Sequence, residues 1–206
     1  MFSKKLFIFI AIFLPFLCVA SKPDSTLNFG IAINYTKDLS NSYGGGNAYL
    51  TEFSFEKTWC GFAFGYSAYD HTWNLADNHF VPDYNLELKV PYKELISAQT
   101  LLVMAKLIPH NGRWVKVDLC AGLGGGVVNH MQLNKIAFRY DFQTQEFIYL
   151  DLTYKHLKQN FFGYTVGFNV EFKLIKRISI VGKFRLDDFD NWTAAFIGGG
   201  IKFRIY

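Results

Sequence analysis

The sequence predicts an all-β fold: an antiparallel up-and-down transmembrane β-barrel of eight strands, with ten as the alternative. Three observations predict it. Bulky apolar and small or polar residues alternate with a period of two along most of the chain. The connections between alternating runs are tight at one rim and long at the other. A short apolar leader directs the chain out of the cytoplasm.

The run at 161–174 carries the pattern most clearly. Phe162, Tyr164, Val166, Phe168, Val170, Phe172 and Leu174 alternate with Gly163, Thr165, Gly167, Asn169, Glu171 and Lys173. A bulky face opposed to a small or polar one suits lipid outside and a narrow lumen inside. The first run, 26–36, sets Phe29, Ile31, Ile33 and Tyr35 against Gly30, Ala32 and Asn34. The second, 47–56, sets Tyr49, Phe53 and Phe55 against Ala48, Leu50, Glu52 and Glu56. The third, 59–69, sets Phe62, Phe64 and Tyr66 against Gly61, Ala63, Gly65, Ser67 and Tyr69. Residues 114–128, 178–187 and 193–206 repeat the theme. The fourth run, 97–108, is apolar on both faces and cannot be phased. Residues 84–92 alternate better, as an outer extension of that strand or part of the loop before it, although Pro91 argues against a paired central position.

Residues 1–20 are expected to be a cleaved signal peptide, and residues 21–206 the barrel domain. Lys4 and Lys5 precede the apolar run Leu6–Leu17, and Cys18-Val19-Ala20 offers small residues before a cut at Ser21. Phe16 and Leu17 are too large for the positions before a lipidated Cys18. With Lys4 and Lys5 removed, the formal charge falls from +4 to +2, and no basic run suggests nucleic acid. Cys60 and Cys120 fall on opposite faces of the wall, so a bridge between them is not expected. The histidines show no metal-ligand spacing, and neither metal nor cofactor is expected.

Lys57-Thr58, Pro109–Arg113 and Ile175–Arg177 read as tight turns, and 37–46, 70–83 and 129–160 as long outer loops. Within 129–160, the alternating runs 135–142 and 147–154 flank Gln143-Thr144-Gln145. They read as a hairpin above the membrane, or as two more spanning strands. A span takes ~9–11 residues, so the chain is too short for sixteen strands.

A soluble barrel would reverse the faces. The polar faces, however, are rich in Gly, Ala, Ser and Thr, and the bulky sets hold more aromatics than an eight-stranded interior accepts. The small faces carry a charged layer: Glu52, Glu56, Lys116, Asp118, Glu171, Lys173, Lys183, Arg185, Lys202 and Arg204. Most lie toward the short-turn rim, where Lys116 and Asp118 can meet Glu171 and Lys173. Mutual neutralisation would close the lumen; an open arrangement would make a selectivity ring.

Gly122-Leu123-Gly124-Gly125-Gly126 lacks the Lys-Ser/Thr and the helix of a phosphate loop. No Ser–His–acid set assembles by spacing, since Ser67 and His71 are four residues apart on a strand. No catalytic residue is therefore expected.

The stretch Val117–Gly126 resembles the glycine-rich strand of the small outer-membrane β-barrel family of Gram-negative bacteria. Gly200–Tyr206 is similar to the terminal strand that their barrel-assembly machinery reads, although Tyr206 is out of phase with Ile201, Phe203 and Ile205. The resemblance implies a monomer in the bacterial outer membrane, bathed in lipid and lipopolysaccharide. A structural, adhesive or surface-interaction role would fall to loops 70–95 and 129–160, through Trp73, Phe80, Tyr84, Phe138, Tyr140 and Phe147 and an extracellular ligand. A narrow pore and a lipid A-modifying enzyme are the alternatives.

Overall fold

A computed structural model describes residues 28–39, 46–81, 86–190 and 192–205. The leader, Tyr84, Tyr206 and the side chain of Phe80 lie outside the described residues. Eight strands run in chain order: β1 (Asn28–Asp38), β2 (Asn47–Glu56), β3 (Cys60–Val81), β4 (Leu86–Asn111), β5 (Val115–Asp141), β6 (Glu146–Lys173), β7 (Ile178–Phe189) and β8 (Trp192–Ile205). Each pairs antiparallel with the next, and β8 returns to β1, with Ile31 opposite Phe203 and Ile33 opposite Ile201. The ring is closed at eight. The runs at 135–142 and 147–154 form no further spans. They continue β5 and β6 upward, with Ile136 opposite Leu152 and Phe138 opposite Leu150.

The period-two pattern becomes two unlike walls. Tyr49, Phe53, Phe64, Phe168, Ile180 and Ile201 face outward and exposed, while Glu52, Ser67, Thr165 and Lys183 face inward and buried. Tyr35, Tyr49 and Tyr66 ring the outer surface toward one rim, and Trp59 and Trp114 stand exposed at the short-turn rim, as in the aromatic girdles of membrane barrels.

β4 hides its pattern because both of its surroundings are apolar. Leu101 and Val103 face outward, 68% and 52% exposed, while Leu102 and Met104 face inward at 1%. At its lower end the register with β5 shifts between Leu107 and His110. Pro109, which has no N–H for the ladder, falls in that irregularity. Elsewhere strands approach closely where glycine allows it. A Cβ on Gly126 would lie 1.8 Å from the Gln99 carbonyl oxygen, and one on Gly200 1.9 Å from that of Ile33.

Two of the segments expected as long loops, 70–83 and 129–160, are largely strand among the described residues, while most of the third, 37–46, lies outside them. β2 leaves β3 at the Asn47–Asp70 pair, yet β3 and β4 stay paired up to Val81 and Leu86. β5 leaves β4 at the Leu95–Met131 pair, yet β5 and β6 stay paired up to Asp141 and Glu146. Two two-stranded arms therefore rise from the ring. Pro91 is paired after all, opposite Ala76. It is tolerated there because that part of β4 has only β3 beside it. The second arm turns at Gln143-Thr144-Gln145, where Gln145 takes the left-handed conformation with φ 56°.

Leu101→Arg distinguishes a lipid-facing wall from a water-facing one. In a bilayer the substitution is expected to destabilise the fold by about 2–4 kcal/mol, read by urea unfolding of the protein in vesicles. A change near zero would mean that this face meets water.

Candidate functional site

The lumen is filled by two layers of different chemistry. Toward the short-turn rim, inward positions of six strands bring four carboxylates and five cations into one connected set: Glu52, Glu56, Asp118 and Glu171 with Lys106, Lys116, Lys183, Lys202 and Arg204. Glu56 is its hub. Its carboxylate accepts from Lys116 Nζ at 2.6 Å and Lys202 Nζ at 2.7 Å, and lies 3.5 Å from Lys106 Nζ. Glu171 accepts from Arg204 and lies 3.1 Å from Lys116. Higher up, Glu52 accepts from Lys106 and, at 2.6 Å, from Lys183. Lys106 thus links the two heights. Asp118 lies 3.6 Å from Lys116 and accepts from the Asn169 amide.

A second pair lies apart. Arg185 meets Asp187 at 2.9 Å, donates to Ser67 Oγ at 3.2 Å, and lies 4.7 Å from the Phe196 ring centroid. Asp187 also accepts from Thr165 Oγ1 at 2.6 Å. Lys173 stands outside the network. Its ammonium donates to Asn111 Oδ1 and the Gly112 carbonyl, each at 2.7 Å, and so clasps the turn after β4.

Burying ions costs several kcal/mol each unless their partners replace water. Here each carboxylate has at least one cation within reach, and the space left among Glu52, Lys106, Asp118, Glu171, Lys183 and Lys202 is about 10 Å³. That holds one water at most. Lys106 and Asp187 were not among the expected layer. Lys106 lay in the run that could not be phased. Asp187 was legible, two residues past Arg185 on the same face.

Above the ions the fill turns apolar. Leu50, Leu102, Met104, Tyr69, Phe161, Phe189 and Phe196 pack into one cluster with small alanines. Glycines make room for it: a Cβ on Gly124 would lie 2.6 Å from Leu102 Cδ2 and 3.0 Å from Phe189 Cε1. The upper lumen that Gly163, Thr165 and Gly167 suggested is therefore packed with side chains. Over this plug opens a cavity of about 330 Å³, lined in part by Trp73, His130, Leu157 and Phe161.

The arms hold the remaining candidates. Trp73 lies edge-on between His71 and His130, with ring centroids at 4.9 and 5.7 Å. His130 is 3.4 Å from Glu94, and Glu94 also accepts from the Leu133 N–H, tying the arm bases together. Partial burial lowers the His71 pKa below its ordinary value, which favours the neutral ring. Higher up, Phe138, Tyr140 and Phe147 form an aromatic cluster with Phe142, and His79 of the other arm meets Phe138 at 5.3 Å. These rings are half-buried. The chain thus combines a closed eight-stranded ring, a lipid-type outer wall, a filled lumen and arms at one rim.

That combination defines the small outer-membrane β-barrels as a structural class. No protein-family profile and no curated protein matches the chain by sequence. Solved structures do match. The N-terminal β-barrel domain of Pseudomonas aeruginosa OprF superposes with a TM-score of 0.56 at 11% identity, covering 88% of this chain and 100% of that one. Ail, the attachment invasion locus protein of Yersinia pestis, in complex with the heparin analogue sucrose octasulfate, gives 0.52 at 9% identity over 88% and 99%. A major outer membrane protein from Thermus thermophilus gives 0.52 at 10% identity over 87% and 100%. At these identities the likeness establishes the fold, that of the eight-stranded outer-membrane barrels.

Glu56→Gln should leave three ammonium groups short of their shared partner. The expected cost is about 3–5 kcal/mol, measured by urea unfolding followed as the gel shift between folded and unfolded bands. Adding Lys116→Met should recover part of it. A neutral Glu56→Gln would mean that water already screens the layer.

Proposed function

We propose that this chain is an integral protein of the bacterial outer membrane whose closed barrel is a mount for two surface-interaction arms. Continuation of β3 to β6 well beyond the ring carries this reading. β6 has 28 residues, and ~9–11 suffice to cross a bilayer. The excess holds Ile148 and Tyr149 exposed by 61% and 52%, beside the half-buried ring cluster. Apolar surface held out in water marks a contact surface. The partner of the arms is an extracellular ligand or surface. Lipid and lipopolysaccharide are proposed for the outer wall, and the barrel-assembly machinery for insertion.

The narrow-pore alternative is disfavoured by the 10 Å³ gap at the ionic layer. The enzyme alternative finds little support, because the Ser67 hydroxyl is buried in the lumen and engaged by Arg185.

Two measurements test this. Cells displaying a variant with both arms cut back to the ring should lose adhesion to host-cell and abiotic surfaces, while the barrel keeps its heat-modifiable migration; undiminished adhesion would remove the arms from the role. Purified protein in planar bilayers should give no steady conductance, and regular single-channel steps would restore the pore.

A further inference from the structure

Among the described residues the arms leave the outer edges of β3, above Asp70, and of β6 open. Between Glu146 and Asn160, β6 is paired with β5 alone, because β7 joins only from Gly163. Alternate backbone N–H and C=O groups on that side point away from the ladder. Edges of this kind are normally blunted by proline, by bulges or by charged side chains, lysine above all; here only the charges serve, and they guard against some partners and not others. This segment holds no proline; its one unpaired position is Ile148, between the Arg139–Tyr149 and Tyr140–Phe147 pairs, and the other irregularity of the ladder, at Asn134, puts its extra residue on β5 and leaves β6 continuous from Tyr149 to Asn160.

The charges along this edge are sorted. Glu146 and Asp151 lie toward the tip, Lys155 and Lys158 toward the membrane. The free edge of β3, from Asp70 to Val81, has no lysine or arginine. The sorting of β6 has a directional consequence. Two copies in one membrane run their β6 strands the same way, so edge-to-edge pairing sets Asp151 beside Asp151 and Lys155 beside Lys155. A copy in a facing membrane runs the other way. Centred on Thr153, an antiparallel pair sets Asp151 opposite Lys155 twice and Leu152 opposite Tyr154, and matches threonine with threonine. Opposite charges and threonine pairs stabilise such contacts; like charges oppose them. Asp151 and Lys155 share one face of the strand. From Tyr149 to Leu157 the ladder would run for about 30 Å.

We propose that the open edge of β6 is a homotypic docking strand. It pairs antiparallel with β6 of a second copy on a facing membrane, about Thr153, and so joins two cell surfaces. The proposal rests on the reading of the arms as surface-interaction elements and names their partner.

Vesicle clustering, followed by light scattering of the purified protein reconstituted with its arms outward, tests it. Wild-type vesicles should cluster. Vesicles carrying Asp151→Lys should not, nor should vesicles carrying Lys155→Asp, because each reversal opposes like charges. Mixed in equal amounts, the two variant populations should cluster again, since position 151 of each then faces an opposite charge at position 155 of the other. Heat-modifiable migration verifies that both variants fold. Dispersed wild-type vesicles, clustering that survives either reversal, or a mixture that stays dispersed would each overturn the proposal. Arm-dependent adhesion that persists in such a case would leave the broader role standing; loss of both would remove it.

Discussion

Hydrocarbon offers no hydrogen bonds, so each backbone N–H and C=O that faces it must be bonded within the protein. Return of β8 to β1 meets that condition across the membrane. Much of the structure follows from it. Closure at eight strands fixes a lumen just wide enough for side chains to fill. It also sets the outer face, where Phe53, Leu101 and Ile201 stand exposed. Above the membrane the condition lapses, because water can satisfy an open edge. There the ring comes apart, β2 and β7 stop, and β3 to β6 continue as arms with free sides.

The lumen is filled in two ways because its two ends have different side chains to place. Toward the short-turn rim the inward positions hold acids and bases in near balance, and they neutralise one another around Glu56 and Glu171. Such a network is intolerant of losing a single member, since the remaining partners stay buried. Toward the arms, Phe161, Phe189 and Phe196 take the space that Gly124 and Gly163 leave. Among the described residues the lumen is thus filled at both levels, by ion pairs below and by aromatic packing above.

Several elements were legible before any coordinates. Alternation at 47–56 and 178–187 located β2 and β7 closely, because those strands separate lipid from a polar lumen. The charged faces of β2, β5, β6 and β8 could be phased for the same reason. β4 could not, since its outward Leu101 and its inward Leu102 are alike apolar. Lys106 was lost with it, although it joins Glu52 to Glu56. Lys173 was placed on the right face, yet its ammonium clasps the neighbouring turn, a matter of reach that periodicity cannot encode. The arms read partly as loops because Pro91 and mixed polarity weaken strand signals where no second neighbour is required.

By itself the sequence determined the class: period two, bulky against small, specifies strands between unlike media, and the short-turn rhythm specifies an up-and-down ring. Tertiary structure alone decided which partners each inward charge takes, what fills the upper lumen, and where the ring yields to free edges. The reason is physical. Face preference is a local property of alternating residues, whereas ion pairing, packing and edge exposure depend on strands that meet across the barrel and lie far apart in the chain.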